Sequence, residues 1–177
     1  ACDVILKTVP LPSKPNRQLL QALPFMLEED QAEDIEQLLI LPAKTLEQDK
    51  QYLQQVAVLS RQKLELWLSW LQQAGFLLQR MLPDALLLPE LDHQPVAIEL
   101  AAQGAAQSQW LLKQGPWQVS CVEQSWWPEY LALLQLPSVL SYSPWPAHVL
   151  QPHQLAPAEL PLALLARQLP NQSFNLL

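Results

Sequence analysis

Hydrophobic positions recur most regularly between Ser60 and Gly75, where Leu64, Trp67, Leu68 and Leu71 fall at i, i+3, i+4 and i+7 and line one face of an α-helix. Ser60 stands where an N-cap belongs. Gly75 sits just past the last periodic residue, where glycine adopts the left-handed conformation at no steric cost. The apolar run Phe76-Leu77-Leu78 then predicts a strand. Leu66 and Trp70 lie about 200° and 240° around the wheel from Leu64 at ~100° per residue, outside the apolar arc. They require a second covering surface, either from the chain itself or from a partner centred on Trp70.

Ahead of this helix, DVILKTVPLP (3–12) reads as a short strand closed by Pro10 and Pro12, each of which removes a ladder donor. Asn16 is the expected N-cap of a helix carrying Leu19, Leu20, Leu23, Met26 and Leu27. Pro24 forfeits the bond to Leu20, which predicts a break near 20–23. IEQLLIL (35–41) and QYLQQVAVL (51–59) predict two strands joined by the polar turn AKTLEQDK. Pro83-Asp84 marks a turn or a helix start. The polar, proline-flanked stretch 91–94 predicts a boundary near 90–95, with one domain over 1–90 and a second over 95–177.

Beyond it, residues 96–102, 109–113 and 117–123 predict a three-strand meander, with Gly115-Pro116 as a turn signal. Ser125 is the expected cap of a helix WWPEYLALLQ, and 139–142 of a further strand. Prolines between 143 and 161 exclude long elements until a short helix at 162–169. The class is α/β with mixed sheets.

Half of the chain is apolar, enough for a core. No run of ~18 apolar residues is free of charge or proline, so no span is predicted within these residues, and ACDVILKTVP lacks the layout of a signal peptide. Cys2 and Cys121 are far apart and read as reduced thiols. Net charge is −7, and its distribution changes the picture more than its size. Between Arg17 and Lys44 there is no basic residue, while Glu28, Glu29, Asp30, Glu33, Asp34 and Glu36 all fall there. The ten Lys and Arg form no stripe that neutralises phosphates, so nucleic acid is excluded as a partner.

Catalytic signals are weak throughout. Three glycines against seventeen prolines disfavour a phosphate-cradling loop, and G-x-x-x-x-G-K-S/T, G-x-G-x-x-G and G-x-S-x-G are all absent. His93, His148 and His153 sit in proline-flanked contexts without acidic or thiol help for a metal. Glu28 and Glu29 read as a charge patch, and Trp117, Trp126 and Trp127 as core or strand-face aromatics. The expectation is no catalytic residue, no cofactor and no metal.

The order LPSKPNRQLLQALPFMLEED, AEDIEQL, AVLSRQKLELWLSWLQQAGF, LPDALLLP resembles the cytoplasmic domain of the L-type inner-membrane platform protein of bacterial type II (general) secretion. Residues 3–90 carry the match. Leu23-Pro24-Phe25 before a double acid, the helix ending Ala74-Gly75, and Leu82-Pro83-Asp84 are specific in combination. Ser173 to Leu177, SFNLL, is similar to the family's segment just before its membrane helix. The resemblance implies an actin-like ATPase fold of two ribonuclease-H-like halves, the first incomplete because the family's strands ahead of Asp3 are lacking. It further implies a non-catalytic scaffold on the cytoplasmic side of the inner membrane, recruiting the E-type secretion ATPase and linking it to the M-type platform protein. On this reading the acidic residues 28–36 are the expected docking segment, and Leu66 with Trp70 the expected face for a homodimer. The alternatives are an actin-like ATP-binding enzyme, or a truncated relative with no place in an assembled machine.

Overall fold

The computed structural model describes residues 3–30, 33–101, 107–157 and 159–177. The chain forms two compact units, a first of residues 3–81 with 174–177 and a second of residues 82–173. Both combine a sheet with short helices, the mixed α/β class expected.

The first unit is built on three antiparallel strands, β1 (Val4–Leu11), β2 (Leu38–Gln48) and β3 (Gln51–Ser60), in the order β1-β3-β2. Central β3 is buried over 54–59, whereas β1 and β2 are edges. Edge position accommodates Pro10 inside β1, and Pro42 stands at the register shift that precedes Thr45, both settings in which a missing N–H is tolerated. Most of the expected polar turn is therefore strand. Only Asp49 and Lys50, both at positive φ (51° and 65°), turn the chain, as a two-residue hairpin of the I′ kind requires. Gln54 fills the irregularity: its Oε1 accepts from Thr45 Oγ1 at 2.6 Å and its Nε2 donates to Gln55 O at 2.9 Å. Residues 35–37, expected in the strand, form a 3-10 turn capped by Asp34.

Between β1 and β2 the helix is broken where Pro24 demands it. α1 (Arg17–Gln21) and α2 (Leu23–Leu27) meet at Ala22, and Pro24 sits in the first turn of α2, where its missing N–H has no intrahelical partner to lose. Asn16 Oδ1 caps α1 through Leu19 N at 2.8 Å. Leu23 and Leu27 then join Val9, Leu11, Val56 and Val58 in one core. α3 (Arg61–Gln73) buries Leu64 and half-buries Trp67, Leu68 and Leu71. Ser60 holds the cap position without a side-chain cap bond. Gly75 N donates to Gln72 O at 3.0 Å and Phe76 N to Leu71 O at 2.9 Å, with Gly75 at φ 79°, a Schellman ending. The strand expected at 76–78 does not form. No strand among the described residues pairs with it, and its side chains are exposed.

The second unit carries the expected meander, β4 (Val96–Leu100), β5 (Gln109–Lys113) and β6 (Val119–Glu123), extended by β7 (Val139–Ser141) parallel to β4 and β8 (His153–Leu155) parallel to β7. The order β6-β5-β4-β7-β8 is that of a ribonuclease-H-like sheet. α4 (Trp127–Leu134) joins β6 to β7 and α5 (Pro161–Gln168) follows β8. A 3-10 turn over 124–126 moves the cap from Ser125 to Trp126. Alternation along β5 separates two cores. Leu111 joins Val96, Ile98, Leu164 and Leu165 on one face, while Trp110 and Leu112 join Ala97, Trp127, Leu131 and Val139 on the other. Trp110 stacks on Trp127 at 4.8 Å, and Trp145 meets both edge-on.

Residues 82–88 belong to the second unit, because the 3-10 turn Asp84–Leu87 and Leu88 bury Ala85, Leu87 and Leu88 against Val96, Ile98 and Leu111. The division observed is at 81/82, where the sequence pattern had placed it at 90–95. Lys113, at the end of β5, fastens this segment: its Nζ donates to Leu86 O at 3.1 Å and Leu88 O at 3.0 Å, with Glu90 Oε2 at 3.7 Å. Cys121 on β6 is disulfide-bonded, which corrects the expectation of a reduced thiol there. Cys2 lies outside the described residues.

Candidate functional site

Leu23 and Leu27, four apart on α2, both face the first core, so Phe25 is turned away from it and is 74% exposed. The acidic run continues from this helix. Glu28 and Glu29 stand in the 3-10 turn Glu28–Asp30, and the side chain of Asp30 is outside the described set. Asp34 Oδ1 accepts the backbone N–H of Glu36 at 3.0 Å, which fixes the next turn and brings these two acids together. Glu28, Glu29, Glu33, Asp34 and Glu36 are all exposed. Lys63 on α3 bonds to Asp3, and that bond, together with the negative charges of Asp3 and then Glu33, raises its pKa above the usual lysine value. The described carboxylates of this segment are thus solvated, an acidic ridge that follows an exposed aromatic ring in the chain.

Leu66 and Trp70, one turn apart on α3, are 45% and 57% exposed, on the side away from the half-buried Trp67, Leu68 and Leu71. Past the helix end Phe76 and Leu77 are exposed too, Leu77 at 96%. Sequence reasoning singled out neither Phe25 nor Leu77 for contact. Phe25 had a usable signal, since position 25 is ~200° from 23 on the wheel; a strand-forming run at 76–78 gave none.

Elsewhere the chemistry is sparse. A groove of about 370 Å³ in the second unit runs between Pro128, Leu131 and Ala132 of α4 and the segment 148–152, and His148 is the titratable side chain lining it. General acid–base work needs a tuned partner for such a group. His153 lies flat on Trp145 at 4.8 Å. Among the described residues, no three of His, Cys, Asp and Glu converge for a metal, and no helix is long and apolar enough to cross a membrane. The described glycines serve a helix end (Gly75) and a turn closed by Gln114 N to Gln118 O at 2.8 Å (Gly115).

Comparison with known proteins adds what this geometry lacks. The family model for type II secretion system protein L matches residues 1–177. The chain is 35% identical to the type II secretion system protein L of Dickeya chrysanthemi over 84% of its own length and 35% of that protein's. It is 30% identical to the Vibrio cholerae protein L over 100% of its length and 43% of that protein's. It therefore spans less than half of these curated relatives. The solved cytoplasmic domain of EpsL, an inner-membrane component of the type II secretion system of Vibrio cholerae, superposes with a TM-score of 0.81 at 26% identity, covering 98% of this chain and 72% of that one.

Proposed function

The chain belongs to the type II secretion system protein L family, and from that premise we propose that it is a non-catalytic scaffold on the cytoplasmic side of the bacterial inner membrane, recruiting the secretion ATPase and linking it to the M-type platform protein. The family match over the whole chain carries the reading. Two features of the molecule agree with it. The two described glycines serve a cap and a turn, whereas an ATP site needs close backbone approach to phosphates, which weighs against the ATP-binding alternative. Its unusual chemistry is a surface: the exposed carboxylates of Glu28, Glu29, Glu33, Asp34 and Glu36, which follow the exposed Phe25 in the chain.

That ridge is the docking element for a basic face of the ATPase, with Phe25 as its apolar anchor. Attraction between such faces acts mainly on the association rate and is screened over ~8 Å at physiological salt. Replacing Glu28, Glu29 and Glu33 with lysine is expected to slow association with the purified secretion ATPase at low salt far more than at high salt, with the fold unchanged. An unaltered on-rate and salt slope in stopped-flow mixing would remove the ridge from the interface. Loss of all binding by wild type under every condition would remove the recruiting role itself.

The two-half organisation follows the same reading: residues 82–173 as a ribonuclease-H-like unit, and residues 3–81 as one with a sheet of only three strands. Exposure of Leu66 and Trp70 supports self-association through that first unit.

A further inference from the structure

The last four residues of the described chain return to the first unit, and their bonds to residues 79–81 are specific. Asn175 Oδ1 accepts the Met81 N–H at 2.9 Å and the Leu177 N–H at 3.3 Å. Asn175 Nδ2 donates to Gln79 O at 3.5 Å. Leu176 N donates to Met81 O at 2.9 Å, and Arg80 Nη2 to Phe174 O at 3.5 Å. The Leu176 side chain is only 2% exposed.

The chain therefore leaves the first unit after Met81 and rejoins it at Phe174, and the two points of passage are bonded to each other. Residues 82–173 form a closed excursion from that clasp. We infer that the Asn175 clasp is a mechanical latch, which routes a load applied at Leu177 through Asn175 and Met81 into the first unit and keeps residues 82–173 out of its path. Sequence order alone would give the opposite result, since residues 82–173 immediately precede the tail. Beside the Leu176–Met81 backbone bond, one short side chain ties both strands of the junction because a single amide oxygen serves both N–H groups, a pair of bonds that aspartate reproduces, without the Nδ2 donation to Gln79 O, and alanine cannot. The latch lies wholly within the first unit and is independent of where any partner docks.

Two measurements on the whole chain test it. Hydrogen exchange at the amides of Met81 and Leu177 is expected to accelerate about tenfold in Asn175→Ala, the equivalent of one net hydrogen bond, and to stay slow in Asn175→Asp. In optical-trap extension between residues 3 and 177, wild type and Asn175→Asp are expected to show a discrete release step before residues 82–173 come under load. Asn175→Ala, which keeps the Leu176 N to Met81 O bond and the buried Leu176 side chain, is expected to show that release at lower force. Unchanged Met81 exchange in Asn175→Ala, or identical extension traces for all three proteins, would overturn the latch. Asn175→Asp behaving like Asn175→Ala would overturn the assignment of the amide oxygen as its key.

Discussion

Lys113 is 3% exposed, a rare state for a lysine and one with a measurable cost. Burial pushes its pKa below the usual 10.5, and the Glu90 carboxylate only partly opposes this. The unfolded chain holds the proton up to the ordinary value, so between the lowered folded pKa and 10.5 the unfolded state binds more protons and stability rises with pH. Below that window both states are protonated, and the cost of burying the charge is fully present. Lys113→Met removes the Nζ donor from Leu86 O and Leu88 O, although Leu86 O keeps Gln172 Nε2 at 3.1 Å. We expect a loss of about 1–3 kcal/mol at neutral pH, widening as pH climbs toward 10.5 because wild type gains there. Urea denaturation across pH measures both, and a deficit that does not vary with pH would contradict the burial of a charged amine. Nothing in the sequence marks this lysine. At a strand end the ordinary expectation is a solvated head group, and only the carbonyls of a distant 3-10 turn make the buried position tenable.

Elements that carry their own start and stop signals were legible, and α3 is the clearest. Gly75 adopts φ 79°, and a Cβ built there would meet nothing within 4 Å, so Gly75→Ala tests conformation without steric conflict. The left-handed state costs a β-carbon-bearing residue roughly 1–2 kcal/mol, and that is the expected loss in denaturant midpoint experiments. Gly75→Asn should lose less, because asparagine tolerates this region better. An unchanged Gly75→Ala protein would show that the Schellman ending does not hold α3. The Asn16 cap, the break at Pro24 and the meander of the second unit were equally readable, each from local chemistry. β2 was not. Its polar second half looks like a loop because an edge strand need not alternate cleanly, and the true turn is only Asp49-Lys50. The run 76–78 misled in the other direction: strand propensity is present, but a strand also needs a neighbour, which no local pattern specifies.

At the scale of the whole molecule, the order of elements and a few motif combinations made the fold class and the family readable, while the boundary between units was not. Residues 82–88 are apolar whichever core they join, and only the packing of Ala85, Leu87 and Leu88 on Val96, Ile98 and Leu111 assigns them to the second unit. The acidic segment proposed for docking was visible as charge, the exposed Phe25 before it only by helical phase. The same scale sets the remaining prediction. The first unit has a sheet of three strands with β1 and β2 at its edges, and such edges present backbone groups to any strand that reaches them. The same unit exposes Leu66, Trp70, Phe76 and Leu77, large apolar side chains of the kind that mark an interface where they cluster. A two-fold contact between two copies would cover the same patch on both, since isologous interfaces are self-complementary. Light scattering at tens of micromolar is therefore expected to report a mass above the 20.1 kDa of one chain. Placing aspartate at both Leu66 and Trp70 should return it to the monomer value, because two buried and unpaired carboxylates in an apolar contact outweigh what the contact gains. The helix itself should persist in circular dichroism, since Leu64 and the half-buried Trp67, Leu68 and Leu71 still hold the inner face. A wild-type mass of one chain across the concentration range, with Trp70→Ala leaving stability untouched, would mean that this face is not where copies meet.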